Sequence, residues 1–144
     1  MRVAPDKALA GLPDGPLCRH LCEVAFDAAL DLLAQCGAMR PFGVVLDGSG
    51  AVHLRVPAAS DLPPNRLLGA VEEGLAQEAD LLVGGRVDAV DLRNGNGQSH
   101  AVRVILHRAG RDSLTAYQLF EMEGGEPQPR QWWVESAGDA QEEV

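Results

Sequence analysis

Hydrophobic positions recur every three or four residues between residues 17 and 36, which is typical of an amphipathic helix packed on a core. The apolar stripe of this helix consists of Leu17, Leu21, Val24, Ala25, Ala28 and Leu32. Asp14 is expected to cap the helix, Pro16 fits its first turn, and Gly37 ends it. The sequence therefore predicts a first helix over residues 17–36.

The period then changes to two. Apolar residues alternate in the runs 42–46 and 52–56, and residues 47–50 between them have the turn-forming sequence Asp-Gly-Ser-Gly. This pattern predicts a β-hairpin. His53 and Arg55 are expected on the exposed side of its second strand.

A second helix and three further strands follow. Asn65 can cap a helix over residues 65–82, whose apolar stripe again has helical spacing. Alternating runs then predict strands over residues 86–93, 100–108 and 114–122, joined by Asn/Gly-rich and Gly/Asp-containing turns.

These elements predict an α+β domain with a five-stranded antiparallel sheet, made of the hairpin and a three-strand meander, and two main helices. The predicted order is α-β-β-α-β-β-β. Residues 1–16 are predicted to form an irregular arm, residues 17–122 the domain, and residues 123–144 a Gly/Pro-rich, Trp-containing acidic segment.

In this order of elements the chain resembles the roadblock and longin group of small regulatory α/β domains. The matching features are the helix before Pro41, the hairpin around Asp47-Gly48, the helix from Asn65 and the meander from Arg86 to Met122. The chain departs from roadblock domains in lacking a clear third helix, since residues 123–130 are broken by glycine and proline. The resemblance implies homo- or heterodimerisation and a scaffold or regulatory role without catalysis.

Composition and charge limit the classes of partner. The 144 residues are enough for one core, and 12 basic against 21 acidic residues give a net charge of -9. Because a phosphate backbone or an anionic membrane would repel this charge, general binding to either is not expected. No apolar run reaches the 18 or more residues of a membrane span. With no apolar signal-peptide region near the N-terminus, a cytoplasmic protein is expected.

Eleven of the 12 basic residues are arginine, a usage that favours a GC-rich bacterial source.

The three cysteines, Cys18, Cys22 and Cys36, fall in one predicted helix. Small buried thiols are the favoured interpretation, with a partial metal or redox site as the alternative. Cys36 would lie about 27 Å along the helix axis from Cys18, too far to share one metal. The histidines show no metal-binding spacing and the glycines no phosphate-binding loop, so no metal, cofactor or catalytic residue is predicted.

The segment 93–111 reverses the overall sign of charge, because it contains arginines and histidines and no acidic residue. Its candidate anion-binding or partner-binding residues are Arg103, His107, Arg108 and Arg111. The favoured interpretation, however, is cross-strand pairing of these basic residues with Glu121, Asp88 or Asp91 on neighbouring strands.

Two adjacent aromatic residues, Trp132 and Trp133, are candidates for docking on the domain itself or on a partner.

Taken together, these features of the sequence predict a non-catalytic, cytoplasmic binding or regulatory module that forms a homodimer and that has a possible further protein partner. One alternative is an acidic secretion-type chaperone, although only two strands fit between Arg40 and Pro57. Another is a small enzyme with a pocket between the second helix and the meander and with His107 or His53 as base.

Overall fold

The computed structural model describes residues 2–47, 49–55, 83–94, 97–108 and 113–135. Within these ranges the elements are β1 (Arg2–Val3), α1 (Pro5–Leu9), α2 (Gly15–Cys36), β2 (Phe42–Leu46), β3 (Val52–Arg55), β4 (Val83–Asn94), β5 (Gly97–Arg108), β6 (Leu114–Glu123) and β7 (Glu126–Glu135). Neither described helix is long and apolar enough to cross a membrane. The helix predicted over residues 65–82 lies outside the described residues.

The strands form one antiparallel sheet in the order β1-β7-β6-β5-β4-β2-β3. This confirms the α+β class, the hairpin β2–β3 and the meander β4–β6, which lie side by side through the pairing of β2 with β4. The predicted number of strands is wrong, because the described residues already form a sheet of seven strands and not five. The two additional strands are β1, in the predicted irregular arm, and β7, in the predicted Gly/Pro-rich segment.

The sequence did not predict β7, because Pro127 and Pro129 interrupt the alternation of apolar and polar residues in this strand. They pair with the Met122 and Phe120 positions of β6, whereas β1 contacts only the other end of β7, at residues 134–135. Among the described strands, the outer side of β7 is thus unpaired where the prolines lie. A proline on such an edge removes no ladder hydrogen bond, which makes it compatible with a strand.

The boundaries of α2 follow the predicted helix closely. Pro16 lies in the first turn. Gly37 adopts the left-handed conformation, with φ 73°, and its backbone N–H donates to the Leu33 carbonyl at 2.9 Å. The predicted capping by Asp14 is wrong, because the Asp14 side chain makes no capping hydrogen bond and pairs instead with an arginine of the sheet.

One face of the sheet, here called the helix face, packs against α2. The residues of α2 buried there are Cys18, Leu21, Cys22, Ala25, Phe26, Ala29 and Leu33. The predicted stripe is therefore rotated around the helix axis, and two of its leucines, Leu17 and Leu32, are each 38% exposed. Those two side chains lie at opposite ends of α2 and are available for contacts outside the core.

The other face of the sheet, here called the opposite face, has its own smaller cluster of buried residues: Ala101, Tyr117 and Trp133. In β5 the side chains of even-numbered residues such as Val102 and Val104 point to the helix face. The alternation of a strand directs the odd-numbered ones to the opposite face. The sheet therefore presents two chemically different surfaces.

Candidate functional site

The predicted basic site is divided by the alternation of β5. Arg103 and His107 lie on the opposite face, as their spacing of four in a strand requires, whereas Arg108 lies on the helix face next to the start of α2. Arg111 is outside the described residues. The sheet thus brings Arg103 and His107 onto one surface and separates Arg108 from them.

Arg103 forms a two-pronged ion pair with Asp88, its direct neighbour on β4. Its Nε lies 2.9 Å from Asp88 Oδ1 and its Nη2 lies 2.5 Å from Oδ2. Both side chains are largely buried. This is the cross-strand pairing considered as the alternative to an anion site. An external anion at Arg103 would have to displace the Asp88 carboxylate.

The same ion pair begins a row of side chains across the opposite face. Arg103 is in register with Tyr117 of β6, and Tyr117 is in register with Trp133 of β7. The Tyr117 and Trp133 rings stack with their centroids 5.5 Å apart, and the Arg2 guanidinium carbon lies 4.1 Å from the Trp133 ring centroid. Trp133 is therefore held between an aromatic ring and a cation of its own chain.

Trp132 points to the helix face because it is the next residue of the same strand. Its ring meets Phe26 of α2 edge-on, with centroids 5.4 Å apart, and the Arg19 guanidinium carbon lies 6.0 Å from its centroid. The two adjacent tryptophans thus contact the two faces of the chain's own sheet.

On the helix face, a buried ion pair joins the start of α2 to the end of β5. Arg108 Nε and Nη2 each lie 2.8 Å from an oxygen of Asp14, and the Arg108 side chain is 5% exposed. Burial, followed by the Asp14 charge, raises the pKa of the adjacent Cys18 thiol to about 11. Burial also raises the pKa of Cys22. Both thiols therefore stay protonated at neutral pH, which makes them poor nucleophiles.

Two histidines have carboxylate partners nearby. His53 Nε2 lies 2.7 Å from Asp47 Oδ2, and His100 Nδ1 lies 2.7 Å from Asp91 Oδ1. The other oxygen of Asp47 accepts hydrogen bonds from Ser49 and Ala51 in the hairpin turn. The Ser49 hydroxyl, followed by His53, lowers the pKa of Asp47. No group of three or more His, Cys, Asp or Glu side chains in the described ranges could hold a metal ion.

An apolar cleft of about 570 Å³ opens between the C-terminal half of α2, residues 37–41 and β3. Its lining includes Leu32, Met39 and Leu54, with Asp31 and Arg40 among its few polar residues. We call it the α2–β3 cleft. Leu54 is 51% exposed, although its place in the alternating pattern predicts a core residue. β3 is an end strand of the described sheet, a position that the alternating sequence pattern does not reveal.

Comparison with known protein families, with curated protein sequences and with solved structures finds no match to this chain. Its function is therefore inferred from the α2–β3 cleft and from the placement of charge.

The three thiols are expected to differ sharply in reactivity. Cys36 is exposed at the end of α2, whereas Cys18 and Cys22 are buried and have raised pKa values. A thiol reagent such as Ellman's reagent should modify one cysteine of the native protein rapidly and all three after denaturation. The variant Cys36→Ser is the control and should show no rapid phase; a rapid phase in that variant would contradict the burial of Cys18 and Cys22.

Proposed function

We propose that the chain is a non-catalytic binding or regulatory module that acts as a homodimer in the bacterial cytoplasm. The observation that supports binding most directly is the α2–β3 cleft, which is apolar and open and which exposes Leu32 and Leu54. An exposed apolar patch beside polar residues is typical of an interaction surface. Three free cysteines in one helix favour a reducing compartment.

The arrangement of ionisable groups favours binding over catalysis. His53 and His107, the candidate bases, lie in one row across the opposite face, with Val45 and Gly84 between them. Three strand spacings separate them by about 14 Å, which is too far for joint proton transfer. Neither histidine is among the described residues that line the cleft. A pocket against the predicted second helix would involve residues outside the described ranges.

Within residues 37–47 and 49–55 the strands are β2 and β3, whereas an acidic secretion-type chaperone would have three strands before its second helix. The homodimer is tested by sedimentation equilibrium of the whole chain over a wide range of concentrations. We expect a mass near twice 15.3 kDa at the higher concentrations and dissociation on dilution. The mass of one chain at every concentration would overturn the proposed homodimer.

A further inference from the structure

We infer that two copies of this chain meet through the outer edge of β3 and the α2–β3 cleft, with the two Leu54 side chains in contact across a two-fold axis. This inference rests on the proposed homodimer and names the surface that forms it. It commits to a second copy as the occupant of the cleft.

The position of β3 in the sheet favours pairing with a second copy. β3 is one of the two end strands of the described sheet, and the other, β1, has only two residues. The outer backbone N–H and C=O groups of an end strand can pair with another strand. If the β3 strands of two identical copies pair antiparallel about a two-fold axis, the same residues contact each other on both sides. The two sheets are then joined through a self-complementary contact.

The cleft has exposed apolar surface on both of its sides. Leu54 projects from β3 with 51% of its surface exposed, and Leu32 projects from α2 with 38% exposed. Both residues line the same cleft. A neighbouring β3 strand would place its own Leu54 over this cleft and remove apolar surface of both copies from water.

Charged side chains along β3 would meet complementary charges across the two-fold axis. If Leu54 pairs with Leu54 of the second copy, the antiparallel register places His53 beside Arg55 of that copy, on the opposite face. His53 already holds the Asp47 carboxylate at 2.7 Å. In this register the Arg55 guanidinium of one copy, whose Nη1 lies 3.4 Å from the Leu54 carbonyl oxygen of its own chain, would lie beside the His53–Asp47 pair of the other copy. The two-fold axis would repeat this arrangement. The hydrogen bonds from Ser49 and His53 lower the pKa of Asp47 and keep it negatively charged.

The test compares matched leucine substitutions by sedimentation equilibrium. Leu54→Asp and Leu32→Asp each place a charge in the cleft. Leu17→Asp is the control, because Leu17 is as exposed as Leu32 but lies near the start of α2, away from the cleft. We expect each cleft variant to raise the dimer dissociation constant by about 30-fold or more, and the control to leave it unchanged. Circular dichroism of each variant checks that it is folded. Arg55→Glu offers an independent variant, which should also weaken the dimer.

Cys36 supplies a second readout because it lines the cleft and is exposed. In the wild-type chain and in Leu17→Asp, its alkylation should slow as the protein concentration rises. In folded Leu54→Asp the rate should not depend on concentration. A wild-type dimer in which Cys36 is alkylated equally fast at all concentrations would contradict the proposed surface.

The outcomes separate the two proposals. A wild-type dimer that persists in folded Leu54→Asp and Leu32→Asp overturns the cleft interface and leaves the homodimer standing. A wild-type monomer at all concentrations overturns the homodimer and this inference with it. A dimer lost in the cleft variants and retained in Leu17→Asp supports both proposals.

Discussion

Ending the chain after Gly125 is expected to prevent stable folding, because it removes β7. β7 pairs along β6 and supplies buried side chains to both faces of the sheet, including Trp133 on the opposite face and Val134 on the helix face. Removing one large buried aromatic side chain costs about 3–5 kcal/mol. A domain has a total stability of about 5–15 kcal/mol, so losing the whole strand should exceed what the fold can tolerate.

The measurement is thermal and urea unfolding followed by circular dichroism. The matched control ends the chain after Glu135, which keeps all of β7, and this shorter chain should retain a cooperative transition. A cooperative transition at the wild-type temperature in the chain that ends after Gly125 would show that the two tryptophans do not stabilise the domain.

Breaking the ion pair between Asp14 and Arg108 is expected to have the second large effect. In Arg108→Ala the Asp14 carboxylate keeps its place between α2 and the sheet without its bidentate partner. Leaving a largely buried charge unpaired costs about 3–5 kcal/mol in the free energy of unfolding. Urea unfolding of Arg108→Ala and Asp14→Ala should therefore show midpoints well below that of the wild type.

Arg130→Ala is the matched control, since Arg130 also pairs with carboxylates, Glu121 and Glu123, but its side chain is 45% exposed. This exposed arrangement should contribute little to stability. The double variant Asp14→Leu/Arg108→Met should recover much of the loss, because an apolar pair replaces a buried ion pair at little cost. Equal losses in Arg108→Ala and Arg130→Ala would contradict the structural role of Asp14.

The sequence predicted the elements that have an uninterrupted period. α2, the hairpin β2–β3 and the meander β4–β6 all appear within a few residues of their predicted limits. β7 could not be predicted in this way, because proline has no backbone N–H and is compatible with a strand only where no neighbouring strand needs a donor at that position. Whether a neighbouring strand needs a donor at the proline depends on the order of strands in the whole sheet, which the local sequence does not show.

The candidate sites show the same limit. Strand alternation correctly placed Arg103 and His107 on one face, and cross-strand pairing correctly named Asp88 as a partner available to Arg103. The partner of Arg108 lies 94 residues earlier in the chain, beyond any local pattern. Leu54 has the spacing of a core residue, but it lies in an end strand of the described sheet and is 51% exposed.

The pairing of β1 with β7 has a consequence for how the chain assembles. Arg2 lies opposite Glu135, so the first and last described strands are neighbours despite being separated by nearly the whole described chain. Contacts between residues so distant in sequence carry a large loop-closure entropy and form late in folding. During synthesis, β1 must therefore wait for β7 to leave the ribosome before it can take its place in the sheet.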